Sequence, residues 1–181
     1  MIGEVDMNKT LYRFLSFALM IGLLVLALKV INWIPLAFQQ DAVRRYKTVE
    51  EVRAALNLKE IYVPSYFPQQ ISWPPSTILA QSKPFAAMLM EFTRADKRNT
   101  ALIISQSEGT TLIVENPIEI REVTEKVQYP IKGRNAVLTV GFCRKEEPCC
   151  GITWTEGKYT MTVLMKSTPF ELTKIVESML R

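Results

Sequence analysis

The chain has 181 residues, with 22 Lys and Arg against 18 Asp and Glu, for a formal charge of +4. It has no histidine, which excludes a Ser-His-Asp triad, a Cys-His pair, His-ligated zinc or haem, and an imidazole pH switch. Ten prolines and seven glycines are too few for a low-complexity chain, and the length suits one ordinary domain plus something short.

The short addition comes first. Residues 14–28, FLSFALMIGLLVLAL, carry no charge, and beyond Lys29 the run VINWIPLAF stays apolar to Phe38. A spanning helix needs about 20 mostly apolar residues. Residues 11–33 supply them, with Arg13 and Lys29 near the ends, where their charges reach headgroups. Tyr12 and Trp33 fall at interfacial positions, and Pro35 is expected to stop the helix. The segment is apolar on every face, unlike the core helix of a soluble domain. No small-x-small cleavage site follows Leu28, which disfavours a cleaved signal peptide, and no Cys follows the run, which excludes a lipoprotein anchor. Ala18 and Gly22 form a small-x-x-x-small pair, read first as ordinary lipid-facing residues. Met7-Asn8-Lys9-Thr10 reads as a natural start, which would leave residues 1–6 outside the native chain.

The expected layout is a cytoplasmic tail at 1–10, a signal-anchor helix at 11–38 in contact with the lipid bilayer, and a juxtamembrane linker with a short helix at 39–57. An extracytoplasmic domain follows at 58–181. Arg44, Arg45 and Lys47 after the helix outnumber Lys9 and Arg13 before it, which counts against this orientation. The short leading tail, and the ease with which long domains translocate whatever their charge, count for it. The location that follows is the inner (cytoplasmic) membrane, single-pass.

From residue 41 onward there are 19 basic and 16 acidic residues with no basic stripe, so no nucleic-acid partner is expected. Arg44-Arg45-Tyr46-Lys47 is a small basic cluster, read as solvated linker. Thr48-Val49-Glu50-Glu51 is a capping box that opens a helix over 49–57. Residues 64–84 hold five prolines, which exclude continuous helix or central strand. Tyr66, Phe67 and Trp73 sit among them. The stretch reads as a proline-braced connection whose aromatics close the end of a sheet. The alternative is a partner-docking loop of Tyr66, Phe67, Trp73, Pro74 and Pro75, with Trp73-Pro74-Pro75 at its tip.

Strands are expected at 77–81, 86–92 and 101–105, with a polar hairpin loop at 94–99. Residues 112–114 form another short apolar run. Residues 118–127 read as a long edge strand or a loop, and 136–142 alternates weakly. Residues 152–155 and 159–165 alternate cleanly around a hairpin signal at Glu156-Gly157, with Ile152, Trp154, Tyr159, Met161, Val163 and Met165 on one face. Thr168, Pro169 and Glu171 open a last helix, and Leu172, Ile175, Val176 and Met179 form its apolar stripe. The fold class is α+β: a transmembrane helix, then an antiparallel sheet with a short N-terminal helix and a C-terminal helix packed on it.

Four segments, YVPSYFP at 62–68, GRNAVL at 133–138, ITWTEGKYT at 152–160 and PFELTKIVESM at 169–179, together resemble a known family. It is the domain of unknown function that follows the single membrane helix of many bacterial anti-sigma-factor-like and sporulation-related proteins. The resemblance implies a lipoprotein-carrier-like fold, a curved antiparallel sheet with helical packing, over residues 58–180. It supplies no catalytic residues. The zinc-binding cytoplasmic segment of those proteins has no counterpart before the helix, so direct sigma-factor binding is not expected.

Cys143, Cys149 and Cys150 bracket the polar turn 144–148. On an oxidising side Cys143 can bridge to Cys149 or to Cys150, and the third thiol can link to another chain. C-x5-C-C is neither a C-x-x-C redox motif nor a four-ligand zinc pattern, so structural cysteines are favoured over a redox site. No metal, cofactor or catalytic residue is expected. The expected function is non-enzymatic: a single-pass membrane protein whose outer domain senses or binds another membrane or extracytoplasmic protein. A carrier-like module for lipid or acyl chains is the alternative, and a thiol-redox accessory protein ranks third.

Overall fold

The computed structural model describes residues 4–40, 43–96, 99–109 and 118–180. The chain divides into two compact units, at 1–41 and 42–181.

The first unit is one helix, α1 (Glu4–Gln40). Its stretch Leu11–Lys29 has a mean hydropathy of 2.2 and is exposed throughout. In length and composition it suits a single membrane span, and a signal sequence shares both attributes. The helix runs through Pro35, which was expected to stop it. A proline inside a helix removes one amide donor, here the partner of the Ile31 carbonyl, and the turns on either side continue.

In the second unit, β1 (Arg44–Tyr46), α2 (Val49–Leu56), β2 (Thr77–Gln81), β3 (Ala87–Thr93) and β4 (Thr100–Ser107) come first. They are followed by β5 (Glu122–Ile131), β6 (Arg134–Phe142), β7 (Pro148–Glu156), β8 (Tyr159–Met165) and α3 (Pro169–Met179). Among the described residues the eight strands form one antiparallel sheet in the order β1-β2-β3-β4-β8-β7-β6-β5. It is two four-stranded meanders whose last strands, β4 and β8, pair in the middle. The α+β class agrees with the expectation from sequence.

Local chemistry explains the elements. The Thr48 hydroxyl accepts the Glu51 amide, and the Glu51 carboxylate accepts the amide of Lys47, one residue before the cap. Asn57, at φ 51°, ends α2 in the left-handed conformation. Lys132 and Gly133 both have positive φ, as a type I′ hairpin between β5 and β6 requires. Between β7 and β8 the two loop residues are Gly157 and Lys158, one position later than the sequence signal. Thr168 and Pro169 open α3 as expected, but the Thr168 side chain makes no cap bond, and Glu171 pairs with Lys174 instead.

Two further differences have physical causes. Arg44–Tyr46, read as linker, is a strand paired with β2. Three residues are too few to show a period, and exposed arginines are at home on a sheet edge. The segment 118–127 divides: residues 118–121 form a connection, and the edge strand starts at Glu122. Gly141 permits the bulge there, because a Cβ at 141 would collide with the Glu122 carbonyl. The run 112–114 lies outside the described residues.

The main core lies on one face of the sheet. Phe92, Leu102, Ile104, Ile152, Met161 and Val163 meet the α3 stripe Leu172, Ile175, Val176 and Met179, all buried. The six residues assigned to one face of β7 and β8 are all buried. The opposite face carries a smaller cluster of Leu89, Ile103, Ile118, Cys143 and Cys149.

Candidate functional site

Three places on the second unit carry chemistry. The first is an aromatic ledge beside β3. Phe92 points into the core and is fully buried. The Phe67 ring lies 5.2 Å from it, and Trp73 stacks on Phe92 at 6.1 Å and meets Phe67 at a tilt, 5.3 Å away. Trp73 is nevertheless 55% exposed. The backbone around it is strapped to β3: the Ser72 amide donates to the Thr93 carbonyl, and the Ser76 amide to the Glu91 carbonyl. So Trp73 presents apolar area on a fixed support. Pro74, which follows it through a cis bond, is exposed, and Pro75 is half-buried. Tyr66 does not join this group. Its amide donates to Ser178 Oγ and its hydroxyl to Glu171, both on α3.

The second place is the cysteine turn. Cys143 and Cys149 are disulfide-bonded across the 3-10 turn Arg144–Glu146, with Cα atoms 5.7 Å apart. Both are buried in the smaller cluster with Ile118. Cys150 points to the main core, and its thiol approaches the Ser167 carbonyl at 3.3 Å. Burial pushes that thiol up to about 12, so it stays protonated and unreactive at neutral pH. A buried Cys150 is also out of reach of another chain, against the expectation of an intermolecular link. Among the described residues no group of His, Cys, Asp or Glu is placed to hold a metal ion.

The third place, missed in the sequence, is a polar cleft of about 740 Å³. Its walls come from α2 (Arg53), the extended chain after it (Lys59, Glu60, Tyr62), the end of α3, and the starts and ends of two strands. Arg134, first in β6, faces Glu156, last in β7, through two parallel bonds of 2.8 and 3.0 Å. The hydrogen bond from Arg134, and then its charge, hold the Glu156 carboxyl below the usual range. Trp154 lies beneath this pair with its indole nitrogen buried. The Tyr62 hydroxyl donates to Glu60 at 2.8 Å, and burial together with that carboxylate pushes Tyr62 up to about 12.

The cleft escaped notice because its residues are far apart in sequence and each reads alone as a solvated charge. The one available signal was Gln106, a polar residue at the buried position after Leu102 and Ile104. Compared with known proteins, the chain matches no family model, no curated protein and no solved structure. The resemblance to the domain that follows the membrane helix of anti-sigma-factor-like proteins therefore rests on its motifs alone.

Proposed function

We propose that the protein is a single-pass inner-membrane protein whose domain, on the extracytoplasmic side, is a non-enzymatic binding module. The observation that carries this reading is the buried Cys143–Cys149 disulfide in a domain that follows one apolar helix. Disulfides persist in oxidising compartments and are rare in the cytosol of mesophiles. The motif resemblance to a domain found after a membrane helix supports the same reading.

The contact surface in this proposal is the Trp73 ledge, and the partner is another membrane or extracytoplasmic protein. A half-exposed aromatic on a rigid base loses little freedom when it binds, as the anchors of protein interfaces do. Affinity capture of the tagged chain from solubilised membranes tests it. A stoichiometric partner is expected, with recovery at least tenfold lower for Trp73→Ala. Unchanged recovery would remove the ledge from this role.

The second reading, an acyl-chain carrier, draws on Val127, Tyr129, Leu138 and Val140, which are only partly buried where the main core reaches β5 and β6. Native mass spectrometry of the detergent-extracted chain would show a co-purified lipid if it holds.

A further inference from the structure

We propose that the cleft is a binding site for a soluble, multiply charged oxyanion, a di- or tricarboxylate or a phosphate compound. Its volume of about 740 Å³ suits a small ligand. The charges on its walls are unevenly satisfied. Arg134 is neutralised by Glu156, and Glu60 accepts the Tyr62 hydroxyl. Arg53 and Lys59 line the same cleft, and among the described residues their side chains have no hydrogen bond or ion pair. Glu60 keeps its charge beside them, so the two cations leave the cleft with a small positive excess, and a positive concave wall concentrates anions.

The backbone that carries the two cations is pinned, while their side chains are exposed and free to reach a ligand. The two residues flank the left-handed turn at Asn57, and that turn is pinned by Leu58, which is buried and whose amide donates to the Arg53 carbonyl. The C-terminal end of α3 also lines the cleft, and the negative end of its dipole disfavours an anion. Lys132 Nζ meets the Leu180 carbonyl there at 2.9 Å and offsets this. Separated positive charges select a ligand with at least two negative ones. The site shares none of these residues with the Trp73 ledge, so it stands or falls independently of the proposed partner surface.

The test is calorimetry on the full chain in uncharged maltoside micelles, with citrate and pyrophosphate as probes. Saturable one-to-one binding of either probe is expected, and the better probe identifies carboxylate or phosphate as the preferred chemistry. Arg53→Gln/Lys59→Gln should weaken binding at least tenfold, and Glu60→Gln should tighten it severalfold. Lys83→Gln/Arg94→Gln, exposed charges outside the cleft, should leave it unchanged. Absence of saturable binding by both probes, equal loss in the two double variants, or weaker binding by Glu60→Gln would each overturn the proposal.

Discussion

Gln106, buried on the core face of β4, holds the extended chain at Tyr62 in place of another strand. Its Nε2 donates to the Glu60 carbonyl at 2.9 Å, and its Oε1 accepts the Tyr62 amide at 3.1 Å. One side-chain amide thus satisfies a donor and an acceptor of a passing backbone, as a paired strand would. Gln106→Leu removes both bonds and strands two backbone groups. It should destabilise the chain by about 2–4 kcal/mol, read as a lower urea midpoint with an unchanged slope.

The Arg134–Glu156 pair sets a pH dependence. The folded carboxyl of Glu156 titrates below its unfolded value, so its contribution is present above the unfolded value. It is lost as pH falls through the folded one. The melting difference between the wild type and Glu156→Gln should therefore be largest at neutral pH and shrink steadily below pH of about 4. Glu91 has the opposite sign. Burial raises its pKa, so its charged form is penalised, and Glu91→Gln should raise the melting temperature at neutral pH but not in acid. Melting curves from pH 7 to pH 3 check both.

Phe92 and Trp73 touch, yet their truncations should separate stability from binding. Phe92→Ala empties a fully buried site and should destabilise by about 3–5 kcal/mol. Trp73→Ala removes a half-exposed ring and should cost about 1 kcal/mol in lost aromatic contact. Denaturation of both variants beside partner recovery makes the comparison. A Trp73→Ala chain as unstable as Phe92→Ala would make the ledge a core element.

Gly141→Ala places a methyl group against the Glu122 carbonyl. The first residues of β5 must then leave β6. Hydrogen exchange at Val123 and Glu125 should accelerate sharply, while β7 and β8 stay protected.

Periodicity and caps carried most of the fold. The alternation of β7 and β8, the α3 stripe and the Thr48 cap were legible because each is a local pattern repeated over several residues. Strand β1 was not, since three residues beside an apolar helix look like linker. Pro35 misled for a different reason: a proline lowers the local preference for helix, while the surrounding apolar turns continue it. The cleft was illegible because Arg134 and Glu156 meet only once β6 and β7 pair, and Arg53 shares their cleft only in the folded domain. The cysteines were half legible. Their spacing allowed two bridges, and only the alternation of β7, which turns Cys149 and Cys150 to opposite faces, decides between them.

Cysteine chemistry in the membrane fraction tests the central claim most directly. Cells are quenched in acid, membranes are washed with alkaline carbonate, and the denatured pellet is treated with a maleimide polymer before and after reduction. The account predicts an intact chain in the pellet that takes one polymer, on Cys150, before reduction and three after it. A chain released by carbonate, or one that takes three polymers without reduction, would contradict it.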